Sequence, residues 1–165
     1  MNERRTPREN KVKAVIIASS HGIPLVSVKT DETFDEGLIA PFFSAIKNFS
    51  DTQLGSLKES LIKGGDYDVL VVQQHELILI AIMDSSLKKI DIEQEAKEAL
   101  HSFHMMFEDE IDSLDKTCLD LNVFTKFQVL LEKQIAKYYE KIEHEQSEEK
   151  GKGFFSKIFG ALRKE

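Results

Sequence analysis

At 165 residues, with 41% hydrophobic and 31% charged side chains, the chain has the size and balance of one soluble domain with a core, not of a disordered or fibrous chain. The formal net charge is -7 and unevenly placed: residues 150–165 carry five Lys or Arg against one Glu, so the body is more acidic than the total implies. Such a body repels phosphate backbones, which excludes general nucleic-acid binding.

Residues 1–10 (MNERRTPREN) are polar, contain Pro7, and are expected to form a mobile leader. Residues 11–20 supply Val12, Ala14, Val15, Ile16, Ile17 and Ala18 and predict a strand. His21-Gly22 predicts a turn, and IPLVSV returns as a second strand. Pro24 has no amide to donate, so it belongs at that strand's start or on a sheet edge. Thr33 or Asp35 is the expected cap of a first helix. In that helix Leu38, Ile39, Phe42, Phe43, Ile46 and Phe49 recur at helical spacing on one face, with Pro41 predicting a kink or a late start. Core packing is expected for at least two of Phe42, Phe43 and Phe49.

Residues 56–63 predict a third strand, and Gly64-Gly65-Asp66 a turn. The stretch DVLVVQQHELILIAIMD, residues 68–84, organises the chain. Its two β-branched apolar runs flank the polar step Gln73-Gln74-His75-Glu76 and predict a β-hairpin. Neither run alternates cleanly, so both faces of these strands expect a cover. A helix follows from about residue 91 to 114, with Ala96, Leu100, Phe103, Phe107, Ile111 and Leu114 on one stripe. Residues 116–122 break the pattern, and a last body helix over 123–145 aligns Phe124, Phe127, Leu131, Ile135 and Tyr138.

The fold class that follows is an α/β sandwich: a five-stranded, mainly antiparallel sheet between one helix and two C-terminal helices, in the order β-β-α-β-β-β-α-α. Residues 147–153 (SEEKGKG) predict a linker, separating a domain over residues 11–146 from a C-terminal amphipathic helix over 154–165.

That element order, with GIPLVS in the first hairpin, LIAPFFSAIKNF in the first helix and LIKGGDYDVLVVQQHELILIAIMD as a three-strand meander, resembles the longin domain family. The roadblock family, built on a similar sheet but usually opening on a helix, is the nearest rival. The resemblance covers roughly residues 11–145. It implies non-catalytic work in membrane trafficking: an adaptor or assembly module that is a platform for small GTPases and pairs with another longin or roadblock domain as a homo- or heterodimer. The contact surfaces expected for such partners are the first helix, through Leu38, Phe42, Phe43 and Ile46, and an exposed sheet edge.

Few residues suggest chemistry. His101 and His104 stand three apart, with Glu98 and Glu108 one turn away, a spacing that permits a metal site on a helix but reads first as a solvated polar face. Gly64-Gly65 lacks the strand–loop–helix context and Lys-Ser/Thr ending of a phosphate loop, and Asp66 and Asp68 read as turn residues. Cys118 is the one cysteine, so no internal disulfide forms, and it has no base beside it in sequence. Ser19-Ser20-His21 falls in a hairpin turn. No nucleophile, base and oxyanion donor assemble from these residues, so no enzyme, cofactor or metal is expected.

The C-terminal segment is more specific. Phe154, Phe155, Ile158, Phe159 and Leu162 share one helical face, with Lys157, Arg163 and Lys164 on or near the other. Aromatic residues opposite cations suit an anionic bilayer surface first, and a helix-binding groove on a partner or on the chain's own body as the two alternatives. No long apolar segment or signal-peptide pattern appears, so a cytoplasmic, peripheral-membrane protein is expected. The alternative reading is a ligand-sensing domain that encloses a small molecule between sheet and helices.

Overall fold

The computed structural model describes residues 11–30, 32–55, 58–114 and 120–162, with backbone alone for residues 146, 147 and 149–162. The elements are β1 (Val12–Ser19), β2 (Pro24–Lys29), α1 (Glu36–Gln53), β3 (Glu59–Lys63), β4 (Tyr67–Gln74), β5 (Leu77–Asp84), α2 (Ile92–Asp112) and α3 (Thr125–Leu162). Their order is the predicted one. A short 3-10 turn over Leu121–Phe124, which the sequence pattern did not distinguish from a loop, leads into α3. The leader over residues 1–10 and Cys118 lie outside the described residues.

The five strands form one sheet in the order β2-β1-β5-β4-β3, with every neighbouring pair antiparallel. β5 is the middle strand, and its apolar run from Leu77 to Met83 is buried throughout. Period-two alternation divides that run. Leu77, Leu79, Ala81 and Met83 face the core shared with α2 and α3, whereas Ile78, Ile80 and Ile82 face the core beneath α1. β1 divides likewise, with Val15 and Ile17 on the first side and Ala14, Ile16 and Ala18 on the second. Two buried faces explain why neither strand alternates in sequence. Pro24 opens β2 on a sheet edge, as expected.

The α2–α3 face holds the larger core. Phe103, Phe107, Phe124 and Phe127 pack ring to ring, with centroids 5.0–6.3 Å apart. α2 kinks at Phe107, whose backbone is non-helical (φ -127°, ψ 27°), where its ring enters that cluster. Ala96, Leu100 and Phe103 are buried, and Ile111 and Leu114 pack at the margin, so the predicted stripe is the packed one.

Two expectations change. The third strand begins at Glu59; residues 56 and 57 are outside the description and Lys58 precedes the strand. The backbone of residues 147–153 is helical, so α3 runs unbroken from Thr125 to Leu162. Glu, Lys and Gln are good helix formers, and each Gly costs only about 1 kcal/mol relative to Ala, too little for Gly151 and Gly153 to end a helix.

Candidate protein-docking surface

α1 starts at a true cap: the Asp35 carboxylate accepts from the Gly37 amide at 2.9 Å. Lys29, at the end of β2, pairs with Glu36 at 2.7 Å and ties the first turn to the sheet. That contact draws the Glu36 carboxyl below its ordinary value and raises Lys29. Pro41 lies within the continuous helix, over the β1–β2 turn. A Cβ on Gly22, which has φ +87°, would stand 2.8 Å from the Pro41 Cα, so glycine lets turn and helix touch. Ser44 completes the junction by donating to the Ser20 carbonyl at 2.6 Å.

This close approach decides which side of α1 goes down. The buried residues are Ala40, Phe43, Ser44, Lys47 and Ser50, mostly small or polar. Leu38 and Phe42 are 71% and 60% exposed, Phe49 is 61% exposed, and Ile46 is half-buried. Of the three phenylalanines only Phe43 is in the core, where at least two were expected. The apolar stripe of α1 is wider than the contact its backbone makes, and the small residues occupy the contact. Among the four partner residues expected from sequence, Leu38 and Phe42 stand in solvent, Ile46 sits at the margin, and Phe43 faces the sheet.

The second part of the surface is β3. It pairs with β4 on one side only and ends the sheet. Its partners fix its two faces: Ile62 lies opposite Val69, on the α1 side, and Leu61 lies opposite Leu70, on the α2 side. Both are exposed, as is Tyr67 at the start of β4. α1 lies over β2, β1 and β5 and leaves the β3 side of that face open. Lys97 on α2 reaches β3 at Glu59, at 2.8 Å, and holds that carboxyl below its ordinary value. The loop after β5 is clipped to β4 by Lys89 and the buried Asp68, 2.6 Å apart.

The remaining sequence candidates fall into place. The Ser19 hydroxyl accepts from the Ile23 amide, and the Gly64 amide donates to the Tyr67 carbonyl, so both segments are turns. His101 and His104 acquire a neighbour that sequence spacing did not reveal, His75 of the β4–β5 turn. His75 stacks on His104 with centroids 4.2 Å apart and planes within 6°. Parallel rings aim their nitrogen lone pairs in parallel planes, and among the described residues no three His, Cys, Asp or Glu form a set able to hold a metal ion. An open polar cleft of about 870 Å³ runs beside this cluster, lined by Lys58, Gln74, Gln94, Lys97 and Glu98 among others.

The space between the sheet and helices α2 and α3, lined by Val15, Leu79, Ala99 and Leu131, measures about 60 Å³. Ligand sites are usually about 300–1,000 Å³. The side chains of Phe154, Phe155, Lys157, Ile158, Phe159 and Leu162, and all of Arg163 and Lys164, lie outside the description. Among the described residues no helix is long and apolar enough to cross a membrane.

No protein-family model and no curated protein sequence matches the chain. Solved structures do. The roadblock/LC7 domain from Streptomyces avermitilis superposes with a TM-score of 0.52 at 10% identity, covering 59% of this chain and 87% of that one. The gliding protein MglB from Thermus thermophilus gives 0.51 at 15% identity, covering 58% and 79%. Myxococcus xanthus MglB gives 0.50 at 15%, covering 59% and 78%. These are structures of the rival named from sequence, and at such identities they speak for the fold alone. The chain has the α/β sandwich fold that roadblock/LC7 domains show and longin domains resemble.

Proposed function

We infer that this chain is a non-catalytic assembly module that pairs with another roadblock- or longin-type domain, a second copy included, and regulates or positions a small GTPase in membrane trafficking. The observation that carries the reading is the inverted burial of α1: Ser44 and Lys47 are inside while Leu38, Phe42 and Phe49 are in water. Exposed large apolar residues grouped on one helix mark an interaction face. The β3 edge, at the end of the sheet away from α1, offers unpaired backbone groups to a partner strand. Sequence resemblance to longin domains supplies the GTPase and the trafficking context. The apolar, cationic segment over residues 154–165 supports reversible attachment to anionic membrane. A cavity of about 60 Å³ gives the ligand-sensing reading no comparable support.

Light scattering coupled to gel filtration tests the pairing. The full chain is expected to run as a dimer, and Phe42→Glu with Leu38→Glu as a monomer with unchanged circular dichroism. A wild-type monomer that also captures no roadblock, longin or GTPase partner from native cells would overturn the reading. Flotation with anionic and neutral vesicles tests the attachment. Binding of the full chain to anionic vesicles and its loss in a version ending at Glu149 is the expected result; equal recovery of both versions defeats it.

A further inference from the structure

Three of the chain's five histidines meet at one point. His75 and Glu76 are the two residues of the β4–β5 turn, and both have left-handed backbone (φ 55° and 59°). That conformation matches the twist of a two-residue hairpin; His tolerates it better than most residues do, and Glu is the less usual occupant. Here the turn is held from outside. The His75 ring lies flat on His104, and its Nε2 is 3.2 Å from Nδ1 of His101. The amide nitrogen of Gln74 is also 3.2 Å from His75 Nε2. At most one proton fits between these two ring nitrogens, so His75 and His101 cannot both be charged while the contact lasts. His104 Nδ1 is closed off from solvent without a protein partner, a poor place for an added N–H.

We propose that the β4–β5 turn is a proton-operated latch, clasped to α2 while His75 is uncharged and released when its ring takes up a proton. A charged His75 ring no longer fits against His101 and His104, 3.2 Å and 4.2 Å away, and outside the cluster the turn is tied by the Ser20 amide, which donates to the Glu76 carbonyl. The charges around the cluster come from each neighbouring element. Glu98 and Glu108 on α2 and Glu76 in the turn attract protons to it; Lys97 on α2, already paired with Glu59, and Lys58 before β3 oppose them. His21 sits in the adjoining β1–β2 turn, whose Ser20 amide donates to the Glu76 carbonyl at 3.1 Å. The balance disfavours the charged ring: burial first, then His104 and His101, push His75 below its ordinary value, and Glu108 offsets part of this. A depressed value in the clasped state means that clasping is complete above the ordinary imidazole range and is lost as pH falls through the depressed value.

Amide exchange on the full chain tests the latch, compared as protection factors at about pH 7.5 and about pH 5. Acid is expected to lower protection over residues 73–78 by about tenfold or more, the signature of local opening of the turn, while β1 and the body of β5 keep theirs. His104→Phe keeps a flat ring to stack on but cannot be protonated, and its acid response should be smaller than that of the wild type. His75→Asn suits the left-handed turn and removes the central proton acceptor, and its turn protection should not depend on pH. Unchanged wild-type protection between the two conditions, or the same acid response in both variants as in the wild type, would overturn the proposal.

Discussion

Phe42 and Phe43 meet edge to face, with ring centroids 5.1 Å apart and planes at 84°. One is 60% exposed and the other 9%. Adjacent residues on α1 therefore have opposite duties, and substitution separates them. Phe43→Ala is expected to cost about 3–5 kcal/mol, the usual range for an emptied aromatic core site. Phe42→Glu should change unfolding free energy by no more than about 0.5 kcal/mol, as surface substitutions do, yet abolish self-association. Urea melts read the first effect and light scattering the second.

The Asp68–Lys89 pair makes a pH prediction. The contact with Lys89 outweighs burial and holds the Asp68 carboxyl below its ordinary value. A depressed carboxylate contributes stability above the ordinary carboxylate range and loses it as pH falls through the depressed value. Asp68→Asn should lower the melting temperature at neutral pH and flatten the decline of stability in acid. Melts from neutral pH to about pH 3 check both.

Tyr139 on α3 receives the Val12 amide at 2.7 Å and so fastens the helix to the start of β1. Tyr139→Phe leaves that amide unpaired where it is half-buried, at an expected cost of about 1–3 kcal/mol. Faster exchange of the Val12 amide would accompany the loss and distinguish it from general loosening of α3.

Ala81, in the middle of β5, lines the 60 Å³ space beneath α2 and α3. Ala81→Val adds two methyl groups to a site with room for them and puts a β-branched residue in a central strand. A gain of about 1 kcal/mol is expected. A loss would show that the space is set by the shape of its walls and does not accept filling.

Much of the architecture was legible because the sequence states it locally. The stripes of α2 and α3 are spaced as helices pack, and the Val- and Ile-rich runs around residues 73–76 can hardly be anything but a hairpin. What escaped depends on distance or on competition. His75 is 26 residues from His101, and only the placement of α2 over β4 brings the rings together. The orientation of α1 follows from Gly22 and Ser44 allowing a close approach; periodicity found its apolar residues but could not choose which side of a wide stripe is pressed down. Residues 147–153 have a linker's composition, but helix propensity prevails there because two glycines are a small penalty among good helix formers.

The two margins of the sheet are treated differently. β2 has α1, the 3-10 turn and α3 packed near it, whereas β3 keeps Leu61 and Ile62 exposed. A strand added at β3 uses up that margin, so two copies joined there by a twofold axis present no second free β3 edge. Growth through β3 stops at the pair, which removes that strand from the hazard of endless polymerisation.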